Sequence, residues 1–242
     1  MSSFAALACA QPSSPNANGV SMGHVHLIVK NVQASKQLWL KLLGAAPASH
    51  AWLDGVSMPG MYVWFRQGEP VGGTEGSTIR DLGLRVRDLN AVLERATRAN
   101  LYSRGTSRKS AYLLAPENVM LELTEHSQMA SDVAADHIHL IVTDLVSARQ
   151  WYTQRFGSPI PGSRLDFIQS DNPMAPTKGR AVDHIGFEVD NPQTYLERLE
   201  AVGVKFEIAV RDTPGLKLTP AFLVDPWGTR IELTERPGQN EP

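Results

Sequence analysis

Residues 137–142 read HIHLIV and residues 24–29 read HVHLIV. Side chains along a strand alternate between two faces, so the pattern predicts strands that send Ile138, Leu140 and Val142 into a core. His137, His139 and Ile141 then point the other way. Two adjacent imidazoles on an open face require solvent, hydrogen-bond partners or a metal. The repetition runs further. HVHLIVKNVQASKQLWLKLLG (24–44) aligns without gaps with HIHLIVTDLVSARQWYTQRFG (137–157) as strand, polar turn, helix and closing glycine. Gly44 and Gly157 stand where a left-handed cap belongs. DLGLRVRDLNAVLERATRANL (81–101) aligns with HIGFEVDNPQTYLERLEAVGV (184–204), each again a strand and a helix. Val92, Leu93 and Ala96 stripe one helix, and Tyr195, Leu196 and Leu199 the other. PENVMLELTE (116–125) matches PWGTRIELTE (226–235), and Asp225-Pro226-Trp227-Gly228 predicts a type I turn.

The unit is therefore a strand, a helix and further short strands, present about four times as a duplicated pair. Expected bounds are 21–70, 78–125, 135–170 and 181–235. The polar stretch HSQMASDVAAD (126–136) reads as a link between two domains, 21–126 and 134–236. Helices cover one face of each strand, and the other face lines something else. That open face collects His137 and His139, then His184, Gly186 and Glu188, then Glu232 and Thr234. His137, His184 and Glu232 hold equivalent repeat positions. Two imidazoles and a carboxylate suit Fe(II) and also accept Mn, Co, Ni or Zn, with coordination positions left for substrate. A weaker first-half copy is His24, Asp81 and Glu122, with His26 beside it.

Composition narrows the classes. The 242 residues suffice for one large or two small domains, and 42% apolar with 20% charged residues is ordinary for a globular chain. A net charge of -2 gives no sign of a nucleic-acid or anionic-membrane partner, and no apolar run is long enough to span a bilayer. The start, SFAALACAQPSSPNANG, contains Ala8-Cys9-Ala10 before Gln11. It reads either as the remnant of an export signal, implying a periplasmic or secreted protein, or as a disordered tail of a cytoplasmic one. Cys9 is the only cysteine, which removes disulfide frameworks, cysteine nucleophiles and Cys-type zinc sites from the rest of the chain.

DHIHLIVTD, DHIGFEVD and LVDPWGTRIELTE resemble the vicinal oxygen chelate superfamily of glyoxalases, bleomycin resistance proteins and extradiol dioxygenases, over roughly residues 21–236. The resemblance implies an α+β fold of tandem βαβββ modules paired into two half-open barrel domains. It implies a divalent metal held by His137, His184 and Glu232, with the first-half cup a vestige. It also implies a small-molecule substrate bound through two neighbouring oxygens, and it admits a homodimer. His139 and Glu188 are candidate proton-transfer groups, with Gln169 a further candidate near the cup. Lys178 and Arg180 in PTKGRAVDH read as binders of a substrate anion, or else as a solvated basic loop. Phe222 takes the place where dioxygenases of this superfamily keep a tyrosine, and 205–221 holds no histidine, so lyase or isomerase chemistry asks for less than oxygen chemistry does. The alternative is a metal-free protein that sequesters an aromatic or cationic small molecule.

Overall fold

The computed structural model describes residues 13–50, 52–209 and 221–236. The expectations for Cys9 and the start of the chain lie outside them. The first repeat contains β1 (Val20–Val29), α1 (Val32–Leu38), β2 (Ala46–His50), β3 (Leu53–Met58) and β4 (Met61–Gln67). The second contains β5 (Ile79–Val86), α2 (Leu89–Arg98), β6 (Ser103–Ser107), β7 (Ser110–Ala115) and β8 (Val119–Glu125). The third is shorter: β9 (Val133–Val142), α3 (Leu145–Phe156) and a single return strand β10 (Arg164–Gln169). The fourth contains β11 (Val182–Val189), α4 (Pro192–Ala201), β12 (Phe206–Ala209), β13 (Ala221–Val224) and β14 (Arg230–Glu235).

Among the described residues, the four α-helices start by one device. Asn31, Asp88, Asp144 and Asn191 each accept, through the side chain, the backbone N–H three residues on, at 2.9 Å. Helix α1 runs into a π-helical turn and stops at Gly44, which is left-handed at φ 76°. Gly157 also has positive φ but with ψ 173°, so the expected left-handed cap is found at Gly44 only. The predicted face alternation is observed: Ile138, Leu140, Ile185, Phe187, Ile231 and Leu233 are fully buried in one core with the helices. Each such side chain contributes roughly 1.5–3 kcal/mol by leaving water. Asp225 closes the predicted turn, accepting from the Trp227 and Thr229 N–H groups and from the buried Tyr152 hydroxyl at 2.7 Å.

The strands form two mixed sheets, ordered β12-β13-β14-β11-β1-β4-β3-β2 and β10-β9-β5-β8-β7-β6. This corrects the expected grouping into halves 21–126 and 134–236. The first repeat pairs with the fourth, β1 antiparallel to β11, and the second pairs with the third, β5 antiparallel to β9. The segment 126–136 is no boundary between sheets. β9 begins inside it, Val133, Ala134 and Ala135 are buried, and it joins β8 to β9 within one sheet. A link this short leaves the second and third repeats as neighbours, and the outer two repeats close on each other.

Candidate metal centre

Each of the four leading strands breaks register next to its open-face residue. On β1 the extra residue is Gly23, on β11 Asp183, on β5 Arg80 and on β9 Asp136. A bulge turns two consecutive side chains toward one face. Asp183 Oδ1 thus lies 2.6 Å from His184 Nδ1, and Asp136 Oδ2 lies 2.9 Å from His137 Nδ1. Arg80 Nε meets Asp81 Oδ2 at 2.6 Å. Beside His24 the extra residue is a glycine with no side chain.

The outer repeats gather His24, His26, His184 and Glu232, whose ligand atoms all lie within 4.8 Å of one another. Glu232 Oε2 lies 2.8 Å from His24 Nε2 and 2.9 Å from His184 Nε2. His26 Nε2 is buried with no hydrogen-bond partner. The sheet makes room for this cluster at Gly186, where a Cβ would stand 2.0 Å from His24 Cε1. Burial opposes the charge on Glu232, but the hydrogen-bonded His184 and His24 outweigh it and hold the carboxyl well below its ordinary range. Burial, with His184 and His24 adding to it, drives His26 down to about 3, so it is neutral at pH 7. The cluster lies in a cavity of about 870 Å³ whose wall includes Trp52, Tyr62, Trp64, Phe222 and Glu188. Burial pushes Glu188 up to about 7 against the opposing charge of Arg236.

The inner repeats gather Asp81, Glu122, His137 and His139. His139 Nδ1 lies 2.8 Å from Asp81 Oδ1, and the partnerless His137 Nε2 stands 3.8 Å from Glu122 and 4.0 Å from Asp81. Gly83 makes room for the His137 ring as Gly186 does for His24. Here Arg80 brings its own cation: it bonds Asp81 and the Tyr112 hydroxyl and lies 3.7 Å from Glu122.

The expected triad is therefore divided. His184 and Glu232 stand together, but their companions are His24 and His26, while His137 lies in the other sheet with His139, Asp81 and Glu122. His24 is likewise separated from Asp81 and Glu122, so the expected first-half set is not one site either. The reason is the strand pairing: the alignment matched His24 with His137 correctly, but β11 takes β1 as neighbour, not β9. His139 is thus no neighbour of His184, and Gln169 also ends a strand of the other sheet. Phe222 stands edge-on to His184 at 5.1 Å. Lys178 lines the cavity and pairs with Glu207 at 2.9 Å. Arg180 instead donates to the carbonyls of Gly73 and Glu75, which fastens a loop.

Hydrogen-bond bookkeeping tests whether a cation fits. A neutral imidazole donates from one nitrogen only. His184 faces Asp183 with Nδ1 and Glu232 with Nε2, both within 3 Å. With the Nδ1 proton on Asp183, the Nε2 lone pair meets a carboxylate oxygen that His24 also approaches, unless a second proton or a metal lies between. The partnerless His26 Nε2 supplies a further donor atom to the same cluster. The residues fit a divalent metal, and Asp183 would be the outer carboxylate that orients His184 toward it. Asp183→Asn is expected to lower metal affinity about 10- to 100-fold with the fold retained. Metal titration followed by calorimetry checks this, and an unchanged affinity would show that Asp183 does not orient His184.

The comparisons agree with this architecture. Residues 134–233 match the family model Glyoxalase/Bleomycin resistance protein/Dioxygenase superfamily. Glyoxalase I from Zea mays shares the fold with a TM-score of 0.70 at 13% identity, covering 90% of this chain and 92% of that one. A putative dioxygenase from Bacillus subtilis subsp. subtilis str. 168 gives a TM-score of 0.65 at 13% identity, covering 95% of this chain and 87% of its own. A comparison with curated protein sequences gives no match. Residues 134–233 thus match the Glyoxalase/Bleomycin resistance protein/Dioxygenase superfamily model, and the fold seen in glyoxalase I extends over 90% of the chain.

Proposed function

We propose that the protein is a metal-dependent enzyme whose working centre is the outer cup. His24, His184 and Glu232, with His26 as a fourth donor, would hold one divalent ion, with Fe, Mn, Zn, Ni and Co all compatible with the donor set. The observation that carries this reading is His184 held between Asp183 and Glu232, with both nitrogens facing carboxylates. When bound, the metal supplies Lewis-acid polarisation of substrate oxygen, with two neighbouring oxygens the natural chelating pair.

The chain's own groups favour proton transfer over oxygen chemistry. Phe222 brings no hydroxyl to the face of His184, so no acid stands where a tyrosine would. Glu188 lies in the same cavity wall, is 5% exposed and titrates near neutrality, which suits a base for a C–H beside a polarised carbonyl. Lys178, at the same cavity, can meet a substrate anion in exchange for Glu207. A lyase or isomerase reaction is the best reading. The aromatic wall of Trp52, Tyr62, Trp64 and Phe222 keeps a second reading in view, a metal-free protein that sequesters a flat molecule.

Elemental analysis of protein purified without chelators separates the two. Stoichiometric metal is expected in the wild type, with nearly all of it lost in His184→Ala. Glu232→Gln should retain weakened binding, because it removes the only anionic ligand of this cup. Wild-type protein that carries no metal and takes none up on titration would end the enzyme reading in favour of sequestration.

A further inference from the structure

One arrangement of arginine, aspartate and histidine occurs in both sheets, at the same register of the repeat. On β11 the bulge residue Asp183 precedes His184, and Arg230 on the return strand β14 bonds that aspartate. Its Nη1 donates to Oδ1 at 2.7 Å, the same oxygen that lies 2.6 Å from His184 Nδ1. On β9 the bulge residue Asp136 precedes His137, and Arg164 on the return strand β10 donates to Asp136 Oδ1 at 3.1 Å. The positions correspond. Arg164 is the register partner of His137, and Arg230 stands one residue before Ile231, which pairs with Ile185, the residue after His184. Each arginine also turns its Nε to a second carboxylate, Glu207 at 3.0 Å for Arg230 and Asp166 at 2.9 Å for Arg164. The other two leading strands lack the arrangement: Gly23 precedes His24, and Arg80 precedes Asp81.

A buried carboxylate needs a counter-ion, and that need alone would account for one such pair. The surroundings of Arg230 say more. Its bond goes to the oxygen that faces the imidazole, while the Gly179 N–H holds the other oxygen, Oδ2, at 2.6 Å. Both ends of the carboxylate are fixed, and the direction of the Nδ1···Oδ1 contact is fixed with them. The guanidinium is itself held, by Glu207 on one side and by the Phe222 ring, whose centre lies 3.9 Å from its carbon. The Arg230 side chain is 12% exposed, against 54% for Arg164, so the outer copy is the more rigid of the two. Arg66, a further cation at this carboxylate, reaches Asp183 only at 4.0 Å and from an exposed position.

We infer that Arg230 is a positioning residue of the outer cup, which holds Asp183 so that His184 keeps Nε2 aimed at the point it shares with Glu232. The inference rests on the metal-dependent reading proposed above.

Arg230→Lys keeps a charge beside Asp183 and removes the planar fork, so it separates position from charge. Zinc affinity is measured by calorimetry, and the ligand field by visible absorption of the cobalt-loaded protein. The samples are full-length wild type, Arg230→Lys, Asp183→Ala and the double variant. Zinc should bind Arg230→Lys about tenfold more weakly than wild type, with a changed cobalt spectrum. In the Asp183→Ala background the same exchange should alter zinc affinity by less than about twofold, because nothing is left for the arginine to hold. Unchanged affinity and spectrum in Arg230→Lys, or a loss as large without Asp183 as with it, overturns this inference and leaves the metal-dependent reading standing. Should Arg230→Lys fail to fold, Glu207→Gln loosens the guanidinium from its other side and carries the test. A loss of about threefold is then expected, absent in the Asp183→Ala background, and no loss overturns the inference. Wild-type protein that takes up neither metal overturns the metal-dependent reading, and this inference falls with it.

Discussion

His24→Ala is expected to weaken metal binding at the His184–Glu232 cup by more than about 100-fold, a loss beyond that of removing an outer-shell partner, whereas His137→Ala leaves that cup unchanged. His24 Nε2 is 2.8 Å from Glu232 Oε2, and its ring occupies the hollow over Gly186. Removing the ring deletes one donor and opens the cup to water. The fold should persist, because Val25, Leu27 and Val29 on the opposite face stay packed in the core. His137 belongs to the other sheet, so its loss affects only the cluster with Asp81, Glu122 and His139. Metal titrations on the two variants give the answer directly. Equal losses in both would mean that the site spans the two sheets, as the sequence alone suggests.

The second large effect concerns the topology. The chain cut within the exposed turn near residue 128 is expected to give two halves, neither of which folds as a monomer with its native sheets. β1 takes hydrogen bonds from β11, and β5 from β9, so each half would carry two long, apolar strands that keep only their return strands and have one edge left unpaired. Such edges pair with other chains and aggregate. Co-expression of the halves should recover a stable heterodimer. Circular dichroism and gel filtration read this out, and two soluble, cooperatively melting monomers would contradict the observed pairing.

Much of this was legible in the sequence for definite physical reasons. The period-two alternation of HVHLIV, HIHLIV and HIGFEV marks the buried face, and the apolar stripes after it mark the helices. Pairing was not legible, because HVHLIV and HIHLIV are nearly the same string and nothing local says which of them lies against β11. The signals for it were indirect: a short link at 126–136 and a third repeat with too few residues between α3 and β11 for three return strands. Asp183 and Asp136 escaped notice because strict alternation sends the residue before a ligand to the helix face, and only a bulge brings it back. Arg230 in GTRIELTE reads as an ordinary strand residue, since its place beside His184 depends on the register of β11 against β14.

The inner cup is built on the same plan and differs in two respects. Its third repeat supplies one return strand, and Arg80 places a guanidinium against both of its carboxylates. A cation fixed in the sheet would compete with a bound ion for Asp81, which supports the proposal that the outer cup is the working metal site.

The most direct measurement is anomalous diffraction from crystals of protein grown with manganese or zinc, with data collected on both sides of the metal absorption edge. The account predicts one strong peak among His24 Nε2, His26 Nε2, His184 Nε2 and the Glu232 carboxylate, at about 2.0–2.2 Å from the nitrogens it engages. No peak there, or a peak confined to Asp81, Glu122, His137 and His139, would contradict it.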